Sequence, residues 1–346
     1  LARLAKAPGF HGLRQFSVAA GCFPLTVQNA PAREADIQAQ LTEWAQRAFV
    51  HGESAGAQAV LYALPEQRWA LLLGAARHSL DGNALTLLYQ HLLRAYEQRE
   101  WPEDEESGEF GQYLEWRSEV ILDEDAATAR AYWQAQLNGL DASLSTPWLA
   151  ARVSTVSGAD SATLQKPLDA ALIAGLEHLA QTVAQPVTVL MQSAWWLLLA
   201  RLSGRDEVLM GWRHDGREDY EYFSGAIGVF EKTLPLNLPV EADQSFAQWL
   251  PTVAARLEEH RLWQEYWTPE LQPAAARPDY GFALHRQAQP VVIGATRYTA
   301  QSVETGRGRV FELLLQVQLN AENVASAVAL EYAAQGLLLN EERLPV

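Results

Sequence analysis

The sequence predicts a mixed α/β protein built as two lobes, on three observations. The chain has 346 residues, enough for two domains of roughly 150 to 200 residues each. Stretches with helical and with strand periodicity alternate along both halves. Between Asp141 and Lys166 that periodicity dissolves into Ser, Thr, Ala and Gly, the composition of a crossover. The boundary is placed there, with an N-terminal lobe over 1–141 and a C-terminal lobe over 142–346. No internal repeat is visible at the level of residue identity.

Each element has its own signal. Glu34 to Val50 is an amphipathic helix, with Ile37, Leu41, Trp44, Ala45 and Ala48 on one face. Ala57 to Tyr62 and Trp69 to Ala76 read as strands around a Pro65-Glu66-Gln67 turn, a hairpin. Asn83 to Gln98 is a helix with Leu85, Leu88, Tyr89, Leu92 and Tyr96 on one side and Asn83 as N-cap. Glu103 to Glu109 carries five acidic side chains and reads as a solvated loop. Gly111 to Leu137 is helical, anchored by Trp116 and Trp133. Asp169 to Gln185 is a helix, and Thr188 to Leu202 is apolar nearly all round, so burial on every side is expected. Val208 to Trp212 and Thr233 to Val240 are strands, with a polar loop from His214 to Glu221 between them. Ser245 to Trp267 is a long helix. Strands follow at Tyr280 to His285, Arg297 to Val303, Phe311 to Leu319 and Ala327 to Ala333, and the loop Pro273 to Pro278 precedes the first of them.

Composition narrows the function classes. A hydrophobic share of 49% and a charged share of 20% fit a soluble enzyme or binding protein. A formal net charge of −16 repels phosphates and anionic lipid heads, which sets nucleic acid and membrane surfaces aside as partners. The longest apolar run, Ala194 to Ala200, is far below the ~20 residues of a membrane span. The single cysteine, Cys22, excludes an intrachain disulfide and fits a reducing, cytoplasmic setting. No signal peptide is visible, and the chain does not begin with Met, as expected of a fragment.

The segment Arg68 to Gly82 joins an apolar strand to a polar loop, after which a helix opens. It resembles the active-site segment of nonribosomal peptide synthetase condensation domains, which carries two histidines, three variable residues, then Asp-Gly. Asp81 and Gly82 are in place, but the histidine positions hold Ala76 and Arg77, with His78 one step late. Further segments resemble that family's motifs in the right order. Phe110 to Trp116 is similar to its aromatic-x-x-aromatic-x-x-Trp helix, and Tyr132-Trp133 to the Tyr-Trp that follows. Ile227 to Leu236 resembles its Ile-Gly-Phe-Phe-Val-Asn-Thr motif, with Lys232 in place of Asn. Leu13 to Phe16 and the stretch from Thr188 to Val208 add weaker matches.

The resemblance implies two chloramphenicol acetyltransferase-like lobes in a V-shaped pseudodimer with a central tunnel. It implies an acyltransferase that forms an amide (or an ester) from thioesters brought on phosphopantetheine arms by acyl or peptidyl carrier proteins. Neighbouring synthetase domains are implied as partners, with no metal and no bound cofactor. Arg77, His78, Asp81 and Gly82 are the candidate catalytic positions. Ser79, Trp212, His214 and Lys232 are the candidate tunnel residues. Arg201, Arg205, Arg213 and Arg217 are the candidates for a locally basic face that docks acidic carriers.

Arg77 puts the chemistry in question. Amide formation needs a proton removed from the attacking amine and a developing oxyanion stabilised. A guanidinium with a pKa above about 12 is no base. It can pair with Asp81 and hold the loop closed, or bind an anionic substrate. His78 can take over only if the loop departs from an extended strand, since neighbouring side chains on a strand point to opposite faces. Two functions follow: a condensation domain working by positioning, and a non-catalytic relative that binds carriers or recruits a tailoring enzyme. The other histidines show no metal-ligand spacing. His214 reads as an exposed loop residue and His260 as half-exposed helix surface. No nucleophile elbow or Walker loop is present, and Gly306-Arg307-Gly308 is a lone turn.

Overall fold

The computed structural model describes residues 2–6, 13–17, 25–29, 57–99, 108–138, 161–240, 243–268, 271, 278–288, 290–300, 311–320 and 322–333. The helix expected over 34–50, Cys22, the acidic run 103–107, the crossover 141–160, the loop 273–277 and the segments 301–303 and 306–308 lie outside the described residues.

The strands are β1 (Ala2–Lys6), β2 (Leu13–Ser17), β3 (Leu25–Asn29), β4 (Ala57–Ala63), β5 (Trp69–Ala75), β6 (Ser161–Pro167), β7 (Met210–Asp215), β8 (Glu231–Leu236), β9 (Tyr280–Arg286), β10 (Val291–Ile293), β11 (Thr296–Tyr298), β12 (Leu313–Leu319) and β13 (Ala325–Ala333). The helices are α1 (Gly82–Gln98), α2 (Phe110–Val120), α3 (Ala126–Leu137), α4 (Ala170–Val183), α5 (Val187–Ser203) and α6 (Phe246–Trp263).

Two compact units form. One gathers Leu1–Phe110, Tyr220–Phe230 and Ala288–Thr305; the other gathers Gly111–Asp219, Glu231–Gln287 and Gly306–Val346. A single cut at Asp141 does not describe this grouping. Asp81 bonds the 228–230 segment, and Tyr96 meets Tyr298 edge-on with ring centroids 6.3 Å apart.

In the first unit, β4 pairs with β3 in parallel and with β5 antiparallel, in a register that sets Ala57 against Ala75. The hairpin turn is a short 3-10 stretch over Pro65–Gln67, with Glu66 at φ 62 and Gln67 at φ 57. Val60, Tyr62 and Leu72 pack as its small core. Of the expected run over 297–303, the described residues form strand at Thr296–Tyr298, paired with β10.

In the second unit, six strands lie in the order β6-β13-β12-β9-β7-β8. The pairs β12–β9 and β9–β7 are parallel, and the others are antiparallel. Residues 161–166, read as the end of a crossover, belong to edge strand β6. The helix expected from Gly111 to Leu137 is two helices. Between them the Asp123 carboxylate accepts the Asp125 amide at 2.9 Å, an Asx bond that competes with helix continuation. Asp169 caps α4, and a Ser245–Gln248 capping box opens α6. Gly204 closes α5 at φ 64, which its missing Cβ allows. α5 is not buried on every side: Leu190, Trp195, Trp196 and Leu199 face the core, whereas Leu198 and Leu202 are exposed.

Five of the chain's twelve tryptophans show their use in this core. The indole N–H groups of Trp133, Trp195, Trp196, Trp249 and Trp267 donate to the carbonyls of Trp263, Gly281, Val208, Pro239 and Thr233. Each ring thus fills volume and satisfies a backbone acceptor that burial would strand. No single helix among the described residues is long and apolar enough to cross a membrane.

Trp133 is fully buried and lies 4.9 Å from the Trp267 ring. Trp133→Ala should lower unfolding stability by about 3–5 kcal/mol in a denaturant titration. Trp133→Phe should lose less, because it keeps a ring in the site.

Candidate functional site

The chain leaves β5 at Ala75 and turns. The Ala76 carbonyl accepts from the amides of Ser79 at 2.8 Å and Leu80 at 3.1 Å. Residues 77–79 are therefore a turn, not an extension of the strand. Strand sidedness does not govern Arg77 and His78. Arg77 is exposed, His78 half-buried and Ser79 buried.

Asp81 anchors this loop. Its Oδ1 accepts the Ala84 amide at 2.7 Å, which makes it the N-cap of α1 and starts that helix at Gly82. The expected cap, Asn83, already lies inside the helix. Asp81 Oδ2 accepts the Phe230 amide at 2.8 Å, and the Asp81 amide reaches the Gly228 carbonyl at 3.4 Å. Both Asp81 carboxylate oxygens thus accept backbone amides, and the side chain holds the loop.

The partner segment is fixed by aromatic packing. Phe230 is fully buried, with ring centroids 5.4 Å from Phe110 and 6.1 Å from Phe223. A Cβ at Gly228 would overlap the Phe110 ring. The glycine of the Ile227-Gly228 motif is thus a close-approach position.

A second polar cluster lies in the other unit, where β7 and β8 meet the end of α6. His214 was expected on an exposed loop, but it is the fifth residue of β7 and only 3% exposed. It lies on the same face as Trp212, whose ring is 4.5 Å away. Its Nε2 meets Asp219 Oδ2 at 2.5 Å. Asp219 also accepts from Gln264 at 2.5 Å and Arg261 at 2.6 Å. Burial alone would raise the Asp219 pKa, but the bond and charge from His214, with the bonds from Gln264 and Arg261, bring it down to about 2.

Lys232 donates to Glu265 at 2.7 Å and Gln264 at 3.0 Å, with its ammonium over the Tyr113 ring. Burial lowers the Lys232 pKa, and Glu265 opposes that shift. Glu265, 2% exposed, also accepts the Tyr113 hydroxyl at 2.8 Å and pairs with Arg117 at 3.2 Å. Trp212, His214 and Lys232 are therefore committed to the interior of this unit.

Two of the four proposed docking arginines are not on the surface. Arg213 is 7% exposed and pairs with Glu231 at 2.7 Å; Arg217 is 5% exposed and pairs with Asp215 at 2.9 Å. Buried guanidiniums need such partners; Asp215 lies two residues from Arg217, and Glu231 lies diagonally from Arg213 on the neighbouring strand β8. Arg201 and Arg205 are exposed around the end of α5. Sequence reasoning missed Asp219, Glu265, Tyr113 and Arg117. The aromatic motif on α2 was the available signal for Tyr113, but nothing local marks Glu265 as its partner. No group of three metal-ligating side chains occurs among the described residues.

His260 is fully buried, not half-exposed. Its Nε2–H donates to the Pro235 carbonyl at 2.7 Å and its Nδ1 accepts from the Tyr132 hydroxyl at 2.7 Å. Burial pulls its pKa down to about 4, against the pull of the Pro235 carbonyl.

Comparison with known proteins places these features. The sequence profile of the condensation domain matches residues 17–280. A protein named as a probable non-canonical nonribosomal peptide synthetase, CymA of Salinispora arenicola, is 30% identical over 205 residues. That alignment spans 57% of this chain but only 3% of the relative's length. The X-domain from teicoplanin biosynthesis superposes with a TM-score of 0.79 at 22% identity, over 98% of this chain and 79% of that one. The X-domain in its complex with OxyB gives 0.75 at 21% identity, over 95% and 75%. At these identities the structural likeness is one of fold.

Asp81→Ala should cost about 2–3 kcal/mol, since it removes a helix cap and strands a buried amide. Asp81→Asn keeps one acceptor and should cost less in the same chemical denaturation. Acidification tests His260. Its folded pKa lies below its ordinary value of 6.5, so the unfolded chain binds the extra proton and stability falls as pH drops from about 6.5 towards 4. The melting temperature should follow that slope, and His260→Gln should flatten it.

Proposed function

The chain belongs to the condensation-domain family, and on that premise we propose that it works in a nonribosomal peptide synthetase as a domain that receives carrier-borne acyl or aminoacyl thioesters. The fold's binding role is kept, and its histidine-dependent chemistry is given up. One observation carries this reading. Asp81 holds the loop through backbone amides, so the loop's shape does not need a histidine, while the place of the family's second histidine holds Arg77 on an exposed turn. A guanidinium accepts no proton at physiological pH. The domain then recruits carriers or a tailoring enzyme, in the manner of the X-domain whose complex with OxyB is solved.

Exposed Arg201 and Arg205 are the proposed contacts for acidic carriers. The thioesters would arrive on phosphopantetheine arms, in the cytoplasm, beside neighbouring synthetase domains. The division at Asp141 into two ancestral lobes belongs to the same reading.

A second reading keeps catalysis, and the turn at 77–79 favours it. Because the segment is not extended, His78 is not forced to the side opposite Arg77. An amine held beside a thioester gains much of its rate from positioning alone.

A condensation assay separates the two. Donor and acceptor are loaded on carrier proteins and the joined product is read by mass, for wild type, Arg77→Ala, Arg77→His and His78→Ala. The recruitment reading expects no product from wild type, with carrier binding retained, and product from Arg77→His. Product from wild type overturns it; loss of that product in His78→Ala or in Arg77→Ala would name the working residue.

A further inference from the structure

Among the described α-helices, α4 is the one that buries no side chain. Its sequence is rich in Ala and Leu, yet Leu172 and Leu179 are exposed, and Ile173 and Leu176 are half-buried. The helix is held at its ends instead. The Asp169 carboxylate accepts the Leu172 amide at 2.7 Å, and the Leu168 amide just before it donates to the Ser326 carbonyl of β13 at 3.0 Å. At the far end Ala184 takes φ 52, the Gln185 amide donates to the Ala180 carbonyl at 3.0 Å, and the chain bends by 98° into α5. Tied in this way, α4 is not free to settle onto its neighbours and close a gap beside it.

Such a gap is present. A cavity of about 80 Å³ lies between α4, the start of α5 and the start of β13. Ile173, Leu176, Val187 and Val324 give it apolar walls, and Glu177 is the charged residue that lines it. Ile173, Leu176 and Glu177 share one face of α4, at helical spacing. The Glu177 carboxylate has no hydrogen-bond or ion-pair partner among the described residues. Across the cavity, the Asn323 carboxamide oxygen is taken by Arg286, whose guanidinium also pairs with Glu218 at 2.7 Å. An apolar wall with nothing against it forgoes dispersion contacts. A carboxylate beside it attracts a cation and repels an anion.

We infer that this cavity is a binding site for a free primary alkylammonium ion with a short aliphatic body. The methylene groups lie against Ile173, Leu176, Val187 and Val324, and the ammonium meets Glu177. A cavity of about 150 Å³ holds benzene, so one of about half that size takes three or four carbons. The net charge of −16 raises the local concentration of small cations. The site lies wholly within the second unit, and the inference does not depend on the thioester-binding role proposed above.

The probe is n-butylammonium chloride, titrated into the whole protein and read from backbone amide resonances by NMR. Wild type should show saturable shifts in α4, the start of α5 and the turn between β12 and β13. Ammonium chloride and sodium butyrate at equal ionic strength should show none. Glu177→Gln should weaken binding about threefold, the worth of an exposed ion pair. Leu176→Trp should abolish binding, because it fills the cavity from a helix that buries no side chain. Both variants should keep the wild-type circular dichroism and melting transition. His178→Ala, an exposed position that does not line the cavity, should leave binding unchanged. Absence of saturable shifts in wild type overturns the inference, as does equal binding by a folded Glu177→Gln or equal binding of butyrate. Binding of N-acetyl-lysine methylamide without binding of butylammonium also overturns it, and would assign the cavity to a lysine side chain of a partner protein.

Discussion

The carboxylate of Asp81 is the constraint on which the candidate site depends. One oxygen starts α1, and the other pins the backbone at Phe230, 149 positions away in sequence. A helix cap is ordinarily a local device worth about 1 kcal/mol. Here the same side chain also settles a long-range contact, so helix start and loop position are determined together. The aromatic layer of Phe110, Phe223 and Phe230 holds the far end, and Gly228 lets Phe110 come close enough to do so. Charge in the interior is tolerated because both carboxylate oxygens accept amide hydrogens.

The second unit solves a different problem, that of holding several charges at the ends of buried strands. Lys232 replaces the Asn that the condensation-domain motif carries, and an unpaired ammonium there would be costly. Glu265 lies within 2.7 Å of it and also takes the Tyr113 hydroxyl. Asp219 does the same for Arg261 and His214. The departures at 232 and at 77 are therefore of different kinds. The first is absorbed by a carboxylate built into the same cluster. The second lies on an exposed turn.

The sequence made the periodic elements legible. The β4–β5 hairpin, α5, α6 and the strands of the large sheet lie close to where hydrophobic spacing put them. Failures share a cause: the deciding partner is distant in sequence or competes locally. Asn83 stands where the helical periodicity opens and so looked like the cap, but the Ala84 amide selects Asp81. The break between α2 and α3 hangs on an Asx bond at Asp123 that apolar periodicity does not record. His214 was expected at the surface from its polar surroundings, and Arg213 and Arg217 as part of a basic face for acidic carriers. Their burial is made possible by Asp219, Glu231 and Asp215, and pairing geometry is a property of the folded sheet. Arg77, by contrast, was readable only as a departure from a motif.

Loop architecture and loop chemistry are thus separable in this chain. In the condensation-domain motif, histidine and Asp-Gly appear as one signature, which invites the view that they stand or fall together. The structure divides them by what each must satisfy. Asp81 is buried and bonded at both oxygens, so replacing it disturbs folding. Position 77 is exposed on a turn closed by backbone bonds from Ser79 and Leu80 to Ala76. The bonds that form the cap and close the turn are made by the Asp81 carboxylate and by backbone groups.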